Sequence, residues 1–454
     1  MVEATVSDRA ISGLGSSLRG RIIRPADGDY DEARRVWNGM IDRRPALIVR
    51  PAVAADVVAA VNFARDNALI VSVRSGGHNV AGNSVCDGGM AIDFSEMKAI
   101  SVDPQARTAT AEPGVKWGEF DAATQAHGLA TTGGTNTDTG IGGLTTGGGI
   151  GWLGGKYGLA LDNLLSADVV TADGRLIRVS AEENQDLFWA VRGGGGNFGI
   201  VTSFTYRLHS VGPLLAGLLA HPAAEAKKVL TFYKEWERGM PDELRCYPAL
   251  LTNPEAGPVV AVAVCYNGPM EKGEQVLAPL RTFGPPVMDV IGPMPYTAVQ
   301  SMLDDAFPPG NNYYVRGPMV REISDELIDV LVDQFAQATS PLSALVLQQL
   351  GGAMARGETA FPHRAASYNL VIAGGWEPTD DSARHIAWVR GVSDAVAPYT
   401  TGASYVNELG QEAEEGADQI KAAYGASYDR LASIKAKYDP QNLFRHNQNI
   451  KPAV

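Results

Sequence analysis

Glycine constrains this chain more than any other residue. Between Thr131 and Gly155 it fills eleven of 25 positions, through Gly-Gly-Thr-Asn-Thr-Asp-Thr-Gly-Ile-Gly-Gly and Gly-Gly-Gly-Ile-Gly-Trp-Leu-Gly-Gly. Backbone without side chains permits close approach of main chain to a large flat ligand, so this stretch is predicted as a loop against an extended cofactor. A second such stretch, Arg-Ser-Gly-Gly-His-Asn-Val-Ala-Gly-Asn-Ser from Arg74 to Ser84, follows the apolar run Leu69 to Val73, which reads as a buried strand. Its glycines begin where the strand stops and N–H groups come free, an arrangement that binds phosphate. They also leave His78 on backbone too bare to shield it.

The 454 residues are enough for two or three domains. Formal charge is 38 − 51 = −13 and no Lys/Arg run stands out, which disfavours a nucleic-acid groove or an anionic membrane surface as partner. Cys86, Cys246 and Cys265 are too scattered for a disulfide framework or a CxxC metal site and are expected to be reduced and buried. His127, His209, His221, His363, His385 and His446 show no ligand spacing, so no metal is expected. The first ten residues lack a basic region followed by an apolar core, and no apolar run approaches the ~20 residues of a membrane span. A cytoplasmic protein is the expectation; the oligomeric state is left open.

The pattern predicts an α+β fold. A strand at Ala46 to Arg50, a helix at Ala54 to Asn67 and the strand Leu69 to Val73 form a β-α-β unit. Strand patterns follow at Met90 to Phe94, Ile100 to Val102, Thr108 to Ala111, Ala167 to Thr171 and Leu176 to Val179, with few helices before Leu208. Helix patterns at Ala223 to Gly239, Asp325 to Ala338 and Asp380 to Val396 then alternate with strands at Val259 to Cys265 and Ala344 to Leu350. A last helix is expected from Gln411 to Lys437. Gly149 to Gly154 and Gly194 to Gly199 both satisfy G-x-G-x-x-G, but the first follows a loop and the second runs into the strand-like Ile200 to Tyr206. A dinucleotide site of the Rossmann type needs strand before and helix after, and is disfavoured.

Taken in order, several motifs resemble the berberine-bridge-enzyme-like flavoproteins of the vanillyl-alcohol-oxidase superfamily. They are Arg-Ser-Gly-Gly-His-Asn at 74–79, Gly-Ile-Gly-Gly at 140–143, Gly-Gly-Gly-Ile-Gly at 147–151, Lys-Tyr-Gly-Leu-Ala-Leu-Asp-Asn at 156–163, the segment 186–202, Phe-Pro-His-Arg at 361–364 and Asp-Pro-Gln-Asn-Leu-Phe-Arg at 439–445. The resemblance implies an FAD-binding domain of the superfamily type from residues 1–210, an inserted α+β substrate domain at 211–400, and a segment 401–454 returning to the first.

It also implies roles. His78 matches the histidine that bonds the flavin covalently; relatives that attach it twice use a cysteine at the position of Asn136, so attachment through His78 alone is expected. The pyrophosphate is expected against Val73, Arg74, Ser75, Gly76, Gly77 and Asn79, with Ser84 nearby and main-chain N–H groups as donors. Gly140, Gly142, Gly143, Gly147 and Gly148 are expected to let the chain pass close to the flavin, Gly199, Ile200 and Val201 to lie beside the adenine end, and Asn447 and Gln448 to return to the ring. Thr139 aligns with a position that gates oxygen, where its valine-like shape is permissive.

Tyr405-Val-Asn407 resembles the family's Tyr-x-Asn element, which makes Tyr405 the expected base, with Asn407 beside it. A phenol of ordinary pKa ~10 needs a cation or strong donor to take a proton near neutrality, and no such partner is legible; a packed strand tyrosine is the alternative. Val371 stands where many relatives carry a polar residue, and of Tyr313 and Tyr314 at most one points at substrate. The expected activity is hydride transfer from a C–H beside a hydroxyl or amine of a small molecule to flavin N5, then electron transfer to O₂ giving H₂O₂. A dehydrogenase with another acceptor, or a flavin-binding protein with little turnover, remain open, as does the choice among sugars, alkaloids, polyketides and phenols.

Overall fold

In the computed structural model, which describes residues 6–410 and 417–453, three main sheets organise the chain. The first has four strands in the order Arg21–Ile23, Leu47–Arg50, Met90–Asp93, Val71–Arg74. The expected β-α-β unit is present, with Ala54–Asp66 as its helix, but its two strands do not touch. Met90–Asp93 enters between them and pairs in parallel with both. That central position buries Leu47, Val49, Met90 and Ile92 against Val57, Ala60, Val61 and Ala64 of the helix.

The second sheet is antiparallel, in the order Ile100–Asp103, Thr108–Ala111, Ile200–Arg207, Leu164–Val170, Leu176–Ser180. Around it the chain is more helical than its pattern indicates. Trp117–Gln125 and Gln185–Val191 are helices, and so is Ile141–Gly147, inside the run expected to be a loop throughout. Glycine disfavours a helix by about 1 kcal/mol per residue, a cost that packing offsets here. Ile141 is fully buried, the Thr145 and Tyr206 hydroxyls meet at 2.8 Å, and the Thr146 hydroxyl donates back to the Gly142 carbonyl at 3.1 Å.

The third sheet has ten strands drawn from residues between Leu214 and Ser404, its last strand Thr400–Ser404 carrying it past residue 400. Helices Ala226–Trp236, Asp325–Phe335 and Ser382–Val396 cover one face, meeting Leu370 and Ile372 of the strand Tyr368–Trp376. Side chains alternate along a strand, so Val371 and Ala373 face the opposite way, toward the first two sheets.

The long helix expected from Gln411 to Lys437 is two, Ala417–Tyr424 and Tyr428–Tyr438, interrupted at Gly425 with φ +48°. Residues 411–416 of that expectation, and the first five of the N-terminal reading, lie outside the described residues. No helix among the described residues is long and apolar enough to cross a membrane.

Candidate active site

A cavity of about 420 Å³ lies where the three sheets converge, a size ordinary for a small-molecule or cofactor site. The loop after Val71–Arg74 forms one wall with Ser75, Gly76, Gly77, His78 and Asn79. Thr139, Gly140, Gly142 and Gly143 form a second, and Gly199, Ile200 and Val201 extend it. The ceiling is the open face of the large sheet, through Val315, Gln348, Val371 and Ala373. Val73, Ser84, Tyr405, Asn407, Asn447 and Gln448 complete the expected residues that the fold brings together.

Three expected residues are not in the wall, each for a physical reason. Arg74 turns away to the buried Asp93, which it grips at 2.9 and 2.5 Å while Arg50 adds a third contact at 2.7 Å. Burial alone would raise the Asp93 carboxyl; the two guanidiniums hold it below its ordinary value. Gly147 and Gly148 make room for protein instead of flavin. A Cβ on Gly147 would stand 2.0 Å from the Asn407 amide oxygen, and one on Gly148 2.7 Å from the Tyr405 hydroxyl. Gly76 and Gly140 likewise let the two loops touch, whereas a Cβ on Gly143 would meet nothing within 4 Å.

The donor set fits a flavin dinucleotide. Among the described residues no backbone acceptor pairs with the N–H groups of Gly76, Gly77, His78 or Asn79, which leaves a nest of donors for a pyrophosphate. The Ser84 hydroxyl and the Asn447 amide oxygen line the cavity, are shielded from solvent, and have no partner within the chain. Buried polar atoms are normally satisfied, so these orphans point to a bound ligand. Ser75 is committed to scaffolding: its hydroxyl donates to the Pro113 carbonyl at 2.6 Å and accepts the Gly142 N–H at 3.2 Å.

His78 stands at the rim with its Nε2 3.0 Å from Asp138 Oδ2 and its ring stacked on Trp37, centroids 5.3 Å apart. A carboxylate accepts only from a protonated ring nitrogen, so Nε2 carries a hydrogen, and in the neutral form of the ring the lone pair lies on Nδ1. Burial pushes the Asp138 carboxyl up, but the bond from His78 brings it below its ordinary value. Asn136 also lines the cavity, its amide donating to the Leu303 carbonyl at 3.0 Å. Cys86, Cys246 and Cys265 are all free and buried, and none of them lines the cavity.

Tyr405 is fixed by two donors. Its hydroxyl oxygen accepts the Gly149 N–H and the Asn407 Nδ2–H, both at 2.9 Å. With those lone pairs occupied, its own proton is left to be donated. Burial raises the phenol far above its ordinary value, and among its perturbing neighbours no cation opposes this. The surroundings thus favour a donor over the base expected from the sequence. Glu408, next in the same 3₁₀ turn, behaves differently: burial lifts its carboxyl to about 7, while a hydrogen bond from Asn369 pulls it partly back.

Tyr313 and Tyr314 face opposite sides, as adjacent strand residues must, and neither lines the cavity. Tyr314 joins the helical side, where the Arg390 guanidinium reaches its hydroxyl at 3.1 Å. Tyr313 stacks on Trp37 at 4.1 Å and donates to the Pro308 carbonyl. Trp37, Phe307, Asp138 and Glu408 were not legible as site residues, because an isolated Trp, Phe, Asp or Glu carries no local pattern.

A cavity of this size, loop N–H groups without backbone acceptors and a half-buried histidine in the wall fit an FAD-binding oxidoreductase, and comparison with known proteins shows that class. Residues 45–180 match the FAD binding domain, and residues 404–451 match the berberine and berberine-like family. The chain belongs to the berberine-bridge-enzyme-like family of FAD-linked oxidoreductases. It is 34% identical over 444 residues to an FAD-linked oxidoreductase of Dictyostelium discoideum, covering 96% of this chain and 95% of that one. It is 33% identical over 452 residues to (R)-6-hydroxynicotine oxidase of Paenarthrobacter nicotinovorans, covering 96% and 97%. The structure of 6-hydroxy-D-nicotine oxidase from Arthrobacter nicotinovorans superposes with a TM-score of 0.89 at 31% identity, over 96% of this chain and 99% of that one.

Proposed function

We propose that this protein is an oxidase that takes hydride from a C–H beside a hydroxyl or amine of a small organic substrate, with FAD held covalently through His78 alone and O₂ as acceptor. When bound, the flavin supplies the redox chemistry, taking hydride at N5 and delivering two electrons to O₂ as H₂O₂. The observation that carries the reading is His78 itself, in the cavity wall among loop N–H groups that no backbone acceptor takes, with Asp138 on its Nε2.

The protein's own residues bind and orient. The N–H groups of Gly76 to Asn79 would hold the pyrophosphate, Ile200 and Val201 the adenine end, and Asn447 and Gln448 the flavin ring. Tyr405, anchored by Asn407 and the Gly149 N–H, offers its hydroxyl as a hydrogen-bonding group that orients the substrate in the cavity. Thr139, short and β-branched, leaves room for O₂. Following H₂O₂ across a substrate panel, and comparing reoxidation by air with that by a dye, tests the reading; reoxidation by dye alone would make the protein a dehydrogenase.

Two variants probe the assignment. Tyr405→Phe is expected to keep its flavin while slowing flavin reduction about 10²-fold or more, the scale of losing a hydroxyl that positions the reacting group. Reduction at the parent rate would remove Tyr405 from the chemistry. Asp138→Asn leaves an acceptor for Nε2 but withdraws the negative charge behind the ring. Outer carboxylates behind imidazoles that ligate metals are worth about 10- to 100-fold, and a loss of that order is expected in the rate of covalent attachment, read as flavin fluorescence on denaturing gels against time. An unchanged rate would reduce Asp138 to a surface contact.

A further inference from the structure

The sheet that roofs the cavity offers it Val315, Val371, Ala373 and Gln348, none of them charged. No lysine or arginine lines the cavity among the described residues, and the one carboxylate in the wall is Glu408. Its hydrogen-bond partner among the described residues is neutral. Asn369 Nδ2 lies 3.0 Å from each Glu408 oxygen and 2.8 Å from Gln348 Oε1, so one amide group is shared among three acceptors. A carboxyl so sparsely compensated in a partly buried wall either takes up a proton or draws in a cation.

We propose that Glu408 selects substrates carrying a basic nitrogen, binding them as ammonium ions and accepting the proton that must leave before hydride transfer. This rests on the oxidase reading above and narrows its substrates to amines. The step balances as R₂CH–NH₃⁺ plus the Glu408 carboxylate giving R₂CH–NH₂ plus the carboxylic acid. The lone pair set free on nitrogen becomes the C=N bond as the C–H hydrogen departs with both electrons to the flavin, leaving R₂C=NH₂⁺. An ammonium ion has no such lone pair and cannot react.

The carboxyl lies near 7, where it can both hold a cation and take up a proton. The ionisable groups facing it are Tyr405 on its own segment, Arg316 and Asp418 in the smaller cavity that Glu408 also lines, and His78 and His446 across the larger one. Amine affinity therefore rises as pH increases through about 7, as the carboxylate forms.

The test uses the flavin-loaded protein and anaerobic flavin difference spectra at a pH of about 8. Benzylamine, 2-phenylethylamine and cyclohexylamine are compared with benzyl alcohol, 2-phenylethanol and cyclohexanol. At least one amine is expected to bind about tenfold or more tightly than its alcohol, with the preference lost in Glu408→Gln and kept in Glu408→Asp. Absence of amine binding, equal binding of the pairs, or a preference that survives Glu408→Gln overturns the proposal. Should Glu408→Gln fail to load flavin, the wild-type pH profile and Glu408→Asp decide: amine affinity that does not weaken below about 7 also overturns it. A protein that holds flavin and reoxidises in air yet ignores amines loses only this proposal, whereas one without flavin loses the oxidase reading too.

Discussion

His78→Ala is expected to surrender all of its flavin to the supernatant on acid precipitation, while the parent protein keeps its flavin in the pellet. Only a covalent bond survives loss of the fold; the pyrophosphate nest, the Ser84 hydroxyl and the Asn447 amide all disperse when the chain unfolds. The folded variant should still bind FAD through those groups, more weakly and reversibly. In the parent, a tryptic map should carry flavin on the peptide of His78 and nowhere else. Asn136 has no nucleophilic sulfur, and the three cysteines are buried away from the cavity. Free flavin from fully loaded parent protein, or a second modified peptide, would refute the single tether.

Lys435→Ala should cost about 3–5 kcal/mol of stability, the usual price of leaving a buried charge without its partner. Lys435 and Asp439 are both fully buried, 2.7 Å apart. The ammonium uses its three protons on Asp439, the Asn197 carbonyl at 2.6 Å and the Phe444 carbonyl at 2.8 Å. The carboxylate in turn accepts the Leu443 and Phe444 N–H groups, shaping the turn that leads to Asn447 and Gln448. Asn197 closes the same junction, donating to the Gln448 carbonyl and accepting the Ile450 N–H. Denaturant midpoints and flavin affinity should therefore fall together. Adding Asp439→Leu to Lys435→Met should recover part of the loss, since removing both charges leaves neither unpaired. A single-variant cost below about 1 kcal/mol would show that solvent reaches the pair.

Sequence alone determined what local physics can carry. Thr108 to Ala111 is the strand its alternation predicts, the helix from Ala54 follows its apolar spacing, and Ile200 onward forms a strand, which rules out the helix a Rossmann fingerprint requires there. The glycine runs marked two segments that line the cavity, and His78 lies in its wall. Tertiary structure decided which way side chains and glycines face. Gly147 and Gly148 look like flavin glycines until the segment at Tyr405 and Asn407 packs into the space they vacate. Arg74 belongs to a phosphate loop in sequence and to buried Asp93 in space. Asp138 meets His78, and Glu408 meets Asn369 below the apolar Val371, only because strands and loops distant along the chain share one cavity. Direction along a strand or turn follows from pairing register, which long-range contacts set, so partners of this kind leave no periodicity to read.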